Sequence, residues 1–189
     1  MVVFDATMML LLMHPDVNPP LDPKSKLPVE HAEARISGLV QQMEKQKTKI
    51  IIPAPALSEL LVRAGGDAQS LIDKIQKNSI FRIEPFNTLT AIEVAAMTKS
   101  AIEGGDKRGG LDCTWAKIKY DRQIIAIAKV HGATAIYSDD EHIRTHASSV
   151  NIQVIGLADI PIPSGELQTT IEELLNDKEG KTEEEITKD

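Results

Sequence analysis

One stretch, residues 117–140, restricts the fold more than any other, because it reads as a helix, a tight turn and a buried strand in direct succession. Apolar residues recur at helical spacing in its first half: Ile118, Ile124, Ile125 and Ala128. Gly132 is a good candidate for the C-cap of the helix, and the strand over 133–137 stops abruptly at Ser138. A helix that turns directly into a buried strand indicates an α/β fold.

Acidic residues lie at both outer ends of this segment. Asp121 interrupts the apolar helix, and Asp139 and Asp140 follow the strand. A helix rises about 1.5 Å per residue, so Asp121 lies roughly 16 Å from the turn. A strand rises about 3.3 Å per residue, so the Asp139–Asp140 pair lies roughly 20 Å from the same turn. Because the chain reverses there, all three should reach the carboxyl edge of the sheet, where ligands bind in open α/β folds.

Two further acidic residues are predicted at the same edge. Residues 2–4 form a short apolar strand that ends at Asp5, and residues 49–52 form a second strand. A helix with two prolines at its start follows the second strand, so Glu59 lies near the carboxyl edge as well. Strands alternate with helices up to residue 155, which predicts a three-layer α/β/α sandwich with a central parallel sheet of about five strands.

The negative charge of the chain is concentrated near its C-terminus. The formal net charge is −7, of which residues 164–189 hold −6 (nine acidic, three basic), leaving −1 for residues 1–163. We therefore expect one domain at 1–160 and a C-terminal amphipathic helix with an acidic tail at 161–189. A single cysteine excludes an internal disulfide framework, and the apolar residues 1–13 are too few to span a bilayer. We expect a cytoplasmic protein without membrane association.

Carboxylates from four segments should thus meet at one edge of the sheet: Asp5, Glu59, Asp121 and Asp140, with Asp139 beside the last. Clustered carboxylates repel one another, and a bound cation relieves that repulsion. Oxygen-only ligands, with neither cysteine nor clustered histidine, favour a hard metal, Mg²⁺ or Mn²⁺, over Zn²⁺. Such a metal leaves positions for water and phosphate oxygens, which is the setting for phosphodiester hydrolysis.

Four short motifs, in this order, resemble the PIN domain family over residues 2–155. They are Val-Val-Phe-Asp5, Ala-Leu-Ser-Glu59-Leu, Asp121-Arg-Gln-Ile-Ile-Ala-Ile-Ala and Ser138-Asp139-Asp140. The family pattern is an apolar strand that ends in Asp, a helix with Glu, a helix with Asp, and a strand that ends in Thr/Ser-x-Asp. Its spacing favours Asp140 over Asp139 as the metal ligand, with Ser138 in a supporting role.

The resemblance implies a metal-dependent endoribonuclease that hydrolyses RNA phosphodiester bonds, as in the VapC-type toxins of toxin–antitoxin pairs. It also implies a homodimer and, for a toxin, an antitoxin protein as partner. RNA against DNA, and one metal ion against two, stay open. A basic cluster beside the predicted site is the candidate RNA-contacting surface: Lys107, Arg108, Lys117, Lys119 and Arg122.

Each carboxylate also has an ordinary structural explanation. Asp5 and the Asp139–Asp140 pair suit helix N-caps, since a carboxylate there accepts a free backbone N–H. Glu59 suits the first turn of a helix, where the helix dipole favours negative charge. Asp121 could pair with Lys117 or Lys119 on a surface face of the same helix. It is their convergence on one edge that favours a metal site.

Two other functions fit parts of the pattern. A PIN-like scaffold that binds RNA or protein without cleaving would have the same fold, and a metal-dependent cleavage assay separates the two. A haloacid-dehalogenase-like phosphatase also has Asp after its first strand, but Asp5-Ala-Thr lacks the second Asp of that family's motif. His142 and His146 have the i, i+4 spacing of a metal pair without a third ligand, so we interpret them as a solvated helix face.

Overall fold

Five short strands form one sheet in which every neighbouring pair is parallel. The computed structural model describes residues 1–14, 17–108 and 112–164. The strands are β1 (Val2–Phe4), β2 (Ile50–Pro53), β3 (Phe81–Glu84), β4 (Ala135–Tyr137) and β5 (Gln153–Ile155). Their order across the sheet is β3-β2-β1-β4-β5, so the first strand lies in the middle.

Helices cover both faces of this sheet. Those in the described part are α1 (Ala6–Met13), α2 (Ala32–Lys45), α3 (Ala54–Ala64), α4 (Ala68–Lys77), α5 (Thr88–Glu103), α6 (Trp115–Val130) and α7 (Glu141–Ser148). Helices α1 to α4 pack together on one face, and α5 to α7 pack on the other.

Alternate residues along the strands enter two separate cores, because successive side chains of a strand point to opposite faces. Phe4 and Ile52 belong to the core beneath α1 to α4. Val3 and Ile51, their neighbours in the chain, belong to the core beneath α6 and α7. All four side chains are fully buried, so the sheet is the middle layer of the sandwich.

The strand order creates a crevice at the carboxyl ends of β1 and β4. From β1 the chain builds β2 and β3 on one side, then crosses to build β4 and β5 on the other. In parallel sheets such a topological switch point is where ligands bind. Asp5 directly follows β1 and Ser138 directly follows β4, and the Asp5 N–H donates to the carbonyl of Tyr137 at 3.2 Å. The fold therefore brings these two side chains to the switch point.

The predicted three-layer sandwich with a five-stranded parallel sheet is confirmed. Gly132 has a φ of +63°, which lets the chain reverse after α6 as the C-cap prediction required. The strand that follows starts two residues later than predicted, at Ala135. The physical reason is that the Ala133 N–H donates back to the carbonyl of Ala128, so this residue still belongs to the turn.

The end of the described chain lies against α2. A Cβ atom on Gly38 would meet Cγ of Pro163 at 2.5 Å, so the glycine makes room for this segment. The predicted amphipathic helix and acidic tail fall almost wholly on residues 165–189, outside the described residues. Among the described helices, none combines the length and apolar character that crossing a membrane requires.

Candidate metal centre

Asp5 links two strands and one helix at the switch point. Its Oδ1 accepts the Met8 N–H at 2.8 Å, so Asp5 is the N-cap of α1, one of the two roles considered from the sequence. Its Oδ2 accepts the hydroxyl of Ser138, which is also buried. Burial raises the pKa of the Asp5 carboxyl to about 6, although the hydrogen bonds from Ser138 and Met8 favour the charged form. Capping thus coexists with a place in the acidic cluster.

Asp140 is joined to Asp5 through one hydroxyl group. Its N–H donates to Oγ of Ser138 at 3.1 Å, the same oxygen that binds Asp5. Its Oδ1 caps α7 by accepting the His142 N–H at 2.8 Å, which leaves Oδ2 to face the cluster. Burial opposes the charge on Asp140, but the hydrogen bond and charge of Lys117 outweigh it and lower the pKa of the carboxyl.

Asp121 is the most buried of the acidic residues, at 1% exposed. Its Oδ1 accepts a hydrogen bond from Nζ of Lys117 at 2.7 Å. Its Oδ2 is buried and has no hydrogen-bond partner among the described residues. Burial raises the pKa of this carboxyl despite the adjacent ammonium. A buried carboxylate oxygen without a partner is costly, and a cation would relieve that cost.

His142 completes a set of potential metal ligands. One atom each from Asp121, Asp140 and His142 lie within 4.8 Å of one another. Nδ1 of His142 is 3.9 Å from Oδ2 of Asp121 and 4.0 Å from Oδ1 of Asp140, and it is buried without a hydrogen-bond partner among the described residues. The two carboxylates suit Mg²⁺ or Mn²⁺, whereas the imidazole, which was not among the ligands expected from the sequence, also suits Zn²⁺. The residues present therefore fit a divalent metal.

An ammonium group already stands between the two carboxylates. Nζ of Lys117 lies 2.7 Å from Oδ1 of Asp121 and 2.5 Å from Oδ2 of Asp140. Although burial lowers the pKa of Lys117, the hydrogen bonds to both carboxylates raise it overall, so the group is charged. The Lys117–Asp121 pair considered from the sequence thus exists, but on a buried carboxylate.

Glu59 and Asp139 are placed differently from the other predicted ligands. Glu59 is 46% exposed and pairs with Arg63 at 2.9 Å, although it lines the same cavity as the acidic cluster. Oδ1 of Asp139 accepts the Leu157 N–H at 2.9 Å. Its carboxylate thus secures the turn after β5. Asp5, Asp121 and Asp140 line one cavity, and Ser138 joins Asp5 to Asp140, but Asp5 lies outside the group of ligand atoms within 4.8 Å. Glu59 borders the same cavity, and Asp139 is engaged with Leu157.

The predicted basic surface is only partly exposed. Lys107, Arg108 and Lys119 are exposed, and Nζ of Lys107 lies 3.9 Å from the centre of the Trp115 ring. Arg122 is 2% exposed and donates to Oγ1 of Thr98 and to the carbonyl of Lys107. A guanidinium so enclosed stabilises the packing of α6 rather than contacting RNA, which corrects the expectation for Arg122.

A cavity of about 680 Å³ opens beside the acidic cluster. Its lining combines the carboxylates and Lys117 with more apolar side chains, among them Val62 at 82% and Tyr120 at 41% exposed. The hydroxyls of Tyr120 and Ser58 share a hydrogen bond of 2.7 Å, which fixes the ring at the rim. The cavity therefore offers an aromatic face beside a charged site.

The sequence interpretation missed the position of His142. The structure places it beside two carboxylates, and it buries His146 at 7% exposed, so the expected solvated face is wrong for that residue. The signal available was the spacing: a histidine two positions after Asp140 lies in the first turn of α7, next to its cap.

Comparison with known proteins gives matches to solved structures alone. No family model matches the chain, and no curated protein matches it.

The crystal structure of VapBC2 from Rickettsia felis, bound to a promoter DNA fragment, matches with a TM-score of 0.55 at 12% identity, over 82% of this chain and 97% of that chain. DNA-bound VapBC from Salmonella typhimurium gives 0.50 at 12% identity, over 82% and 97%. Mycobacterium tuberculosis VapC20, a sarcin–ricin loop cleaving toxin, gives 0.48 at 12% identity, over 80% and 96%. With the sheet order, the first two likenesses show that this chain has the PIN-domain fold of VapC-like proteins.

Proposed function

We propose that the protein is a metal-dependent endoribonuclease that hydrolyses RNA phosphodiester bonds with Mg²⁺ or Mn²⁺. One observation supports this most: Asp121, Asp140 and His142 present ligand atoms within 4.8 Å of one another, beside Asp5 at the switch point of a parallel sheet. The likeness to VapC-like folds supports the same class of activity.

Each residue of the cluster has a distinct task in this proposal. Asp121 and Asp140 would hold the metal directly, and Asp5 would contribute from the adjacent strand end, directly or through a water. Ser138 fixes Asp5 and Asp140 relative to each other, because its hydroxyl bonds to both. A bound divalent ion supplies an activated water and stabilises the charge on the leaving oxygen. Glu59 stays a candidate ligand from the cavity wall, which requires release from Arg63.

The cavity beside the cluster suits single-stranded RNA. The exposed ring of Tyr120 lines this cavity, and an RNA base can stack on it. Such stacking does not depend on which base is present, because every base has an aromatic face. Lys107, Arg108 and Lys119 lie exposed on the loop and helix that follow α5, where they can attract the phosphate backbone. Unpaired RNA is therefore the substrate we expect.

The partners belong to the same proposal. The R. felis and S. typhimurium neighbours are VapBC complexes, which supports an antitoxin as partner of this chain. Helix α5 exposes three large apolar side chains, Leu89, Ile92 and Ile102, each more than half exposed. These exposed side chains on one helix are the candidate contact surface of a homodimer, because an exposed apolar surface is where a protein partner packs. The mass of the purified protein in solution, compared between wild type and Ile92→Glu, tests the dimer.

A scaffold that binds RNA without cleaving it is the competing function. The observation in its favour is Lys117, whose ammonium already neutralises part of the cluster, together with the engagement of Glu59 by Arg63. Such ion pairs stabilise an acidic site that never takes up a metal.

Cleavage of an end-labelled unstructured RNA separates the two functions. We expect cleavage with Mg²⁺ or Mn²⁺, none with a chelator, and a loss of at least about a hundredfold in Asp5→Asn and Asp121→Asn, because Asn keeps the size of Asp and removes its charge. Asp67→Asn is the matched control, since its side chain is exposed on the turn after α3. Unchanged cleavage by both site variants, or metal-independent cleavage, would refute the proposal.

A further inference from the structure

The ammonium of Lys117 lies between Asp121 and Asp140, the two carboxylates that a metal ion at this site would use. Lys117 lies in the first turn of α6, four residues before Asp121. Nζ lies 2.7 Å from Asp121 and 2.5 Å from Asp140, so it uses one oxygen of each of the two carboxylates. The other oxygen of each carboxylate faces Nδ1 of His142. A divalent ion bound to Asp121 and Asp140 on that side would meet a positive charge directly beside it. Lysine and metal therefore compete for the same negative charge.

The side chain of Lys117 is able to leave this position. It is 40% exposed and lines the cavity beside the cluster, so open space is adjacent to its head group. The lysine side chain has a flexible four-carbon stem, and its ammonium binds anions as a point charge. It lacks the rigid, planar donor geometry that arginine has. Asp121 and Asp140, in contrast, are fixed by α6 and by the cap of α7. The lysine is thus the mobile member of the cluster.

We propose that Lys117 is a tethered cation that competes with the divalent ion for Asp121 and Asp140 and thereby sets the metal concentration at which the site loads. This inference rests on the proposed function, because it requires the metal site. In the metal-free protein the ammonium holds the two carboxylates together. Once the metal binds, the ammonium moves into the cavity, where a phosphate oxygen of the substrate is the anion available to it. Metal loading thus frees a positive charge on the substrate side.

Mn²⁺ binding to the full-length protein, measured by calorimetry, tests the competition without any cleavage assay. Lys117→Met removes the charge and keeps the apolar stem, and it should bind Mn²⁺ about tenfold more tightly than wild type, since a partly buried ion pair no longer has to be broken. Lys117→Arg retains a competing charge and should stay close to wild type. Lys117→Gln is a second neutral variant and should follow Lys117→Met if the latter folds poorly.

Lys119→Met is the matched control for net charge. It removes the same charge from the same helix, but Lys119 is exposed and has no hydrogen bond or ion pair to any described residue. Because an exposed charge that contacts neither Asp121 nor Asp140 interacts with them only weakly through water, its Mn²⁺ affinity should lie within about twofold of wild type. Equal tightening in Lys117→Met and Lys119→Met would overturn the proposal, as would unchanged or weaker binding in both neutral Lys117 variants.

Failure of the competition and failure of the metal site give different results. If wild type binds Mn²⁺, Asp121→Asn does not, and the neutral Lys117 variants match wild type, the metal site stands and the role of Lys117 is refuted. If wild type and the neutral Lys117 variants show no Mn²⁺ binding, or Asp121→Asn binds as well as wild type, the metal site itself is refuted.

Discussion

Replacing Asp5 by Asn should stabilise the metal-free protein at high pH. Asp5 is 6% exposed, and burial raises the pKa of its carboxyl from 3.8 to about 6. Because the pKa is higher in the folded state, the protonated form stabilises the fold fully below pH 3.8. That contribution is lost as the pH rises through about 6. Asn is neutral at every pH, keeps the cap on the Met8 N–H and so avoids the loss.

The expected size follows from the shift. Each pKa unit is worth about 1.4 kcal/mol. Because the pKa changes from 3.8 to about 6, ionising Asp5 should cost the folded state roughly 3 kcal/mol of stability by pH 8. At pH 5 only about half of this stability cost has been incurred, because Asp5 is still mostly protonated in the folded state and mostly ionised in the unfolded state. The free energy of unfolding of Asp5→Asn minus that of wild type should therefore rise by roughly 1.5 kcal/mol between pH 5 and pH 8.

Urea unfolding in a chelator at several pH values measures this difference. Asp67→Asn is the control, and its difference from wild type should stay nearly constant with pH because its side chain is exposed. Saturating Mn²⁺ should reverse the order at pH 8, since the metal stabilises the ionised cluster of wild type and binds the variant poorly. A difference between Asp5→Asn and wild type that does not change with pH would refute the assigned environment of Asp5.

Three further outcomes are expected. Tyr120→Ala should weaken binding of unstructured RNA by about 1–3 kcal/mol while Tyr120→Phe keeps it, because stacking uses the ring and not the hydroxyl; titration with labelled RNA measures both. Gly156→Ala should lower the melting temperature, since its Cβ would lie 2.8 Å from Oδ1 of Asp139, which accepts the Leu157 N–H; an unchanged melting curve would show that the turn adjusts freely. Deleting residues 178–189 should tighten RNA binding at low salt, with a gain that shrinks as salt rises, and equal affinity at low salt would leave the tail without a regulatory role.

The fold was predictable because its signals are local and repeated. The apolar strand of residues 2–4, the glycine at 132 and the helix over 117–131 each fix a short element, and alternating strands and helices leave a parallel sheet as the solution. The rise per residue along the helix and the strand then predicted that Asp121 and Asp140 lie at the same edge of the sheet, and the structure places them there. Counting residues along a helix and a strand is reliable because both rises are constant.

Side-chain direction was not predictable in the same way. Asp139 and Asp140 are adjacent in sequence, yet one accepts the Leu157 N–H and the other faces the cluster, because neighbouring residues at a strand end point to different sides. Arg122 was assigned to the surface from its charge, although it lies one position after Asp121 on a helix whose next face is covered by α5. Such details depend on which helix covers which face, and a single sequence contains no direct signal for that.

The most direct test of the metal centre is a crystal structure of the protein with Mn²⁺, with anomalous scattering used to locate the ion. We predict a peak within coordination distance of the carboxylates of Asp121 and Asp140, with Asp5 at the same ion directly or through a water. Nζ of Lys117 should have moved away from both carboxylates into the cavity. An anomalous map without a peak at this cluster at saturating Mn²⁺, with Lys117 still between Asp121 and Asp140, would contradict the metal centre and the nuclease function built on it.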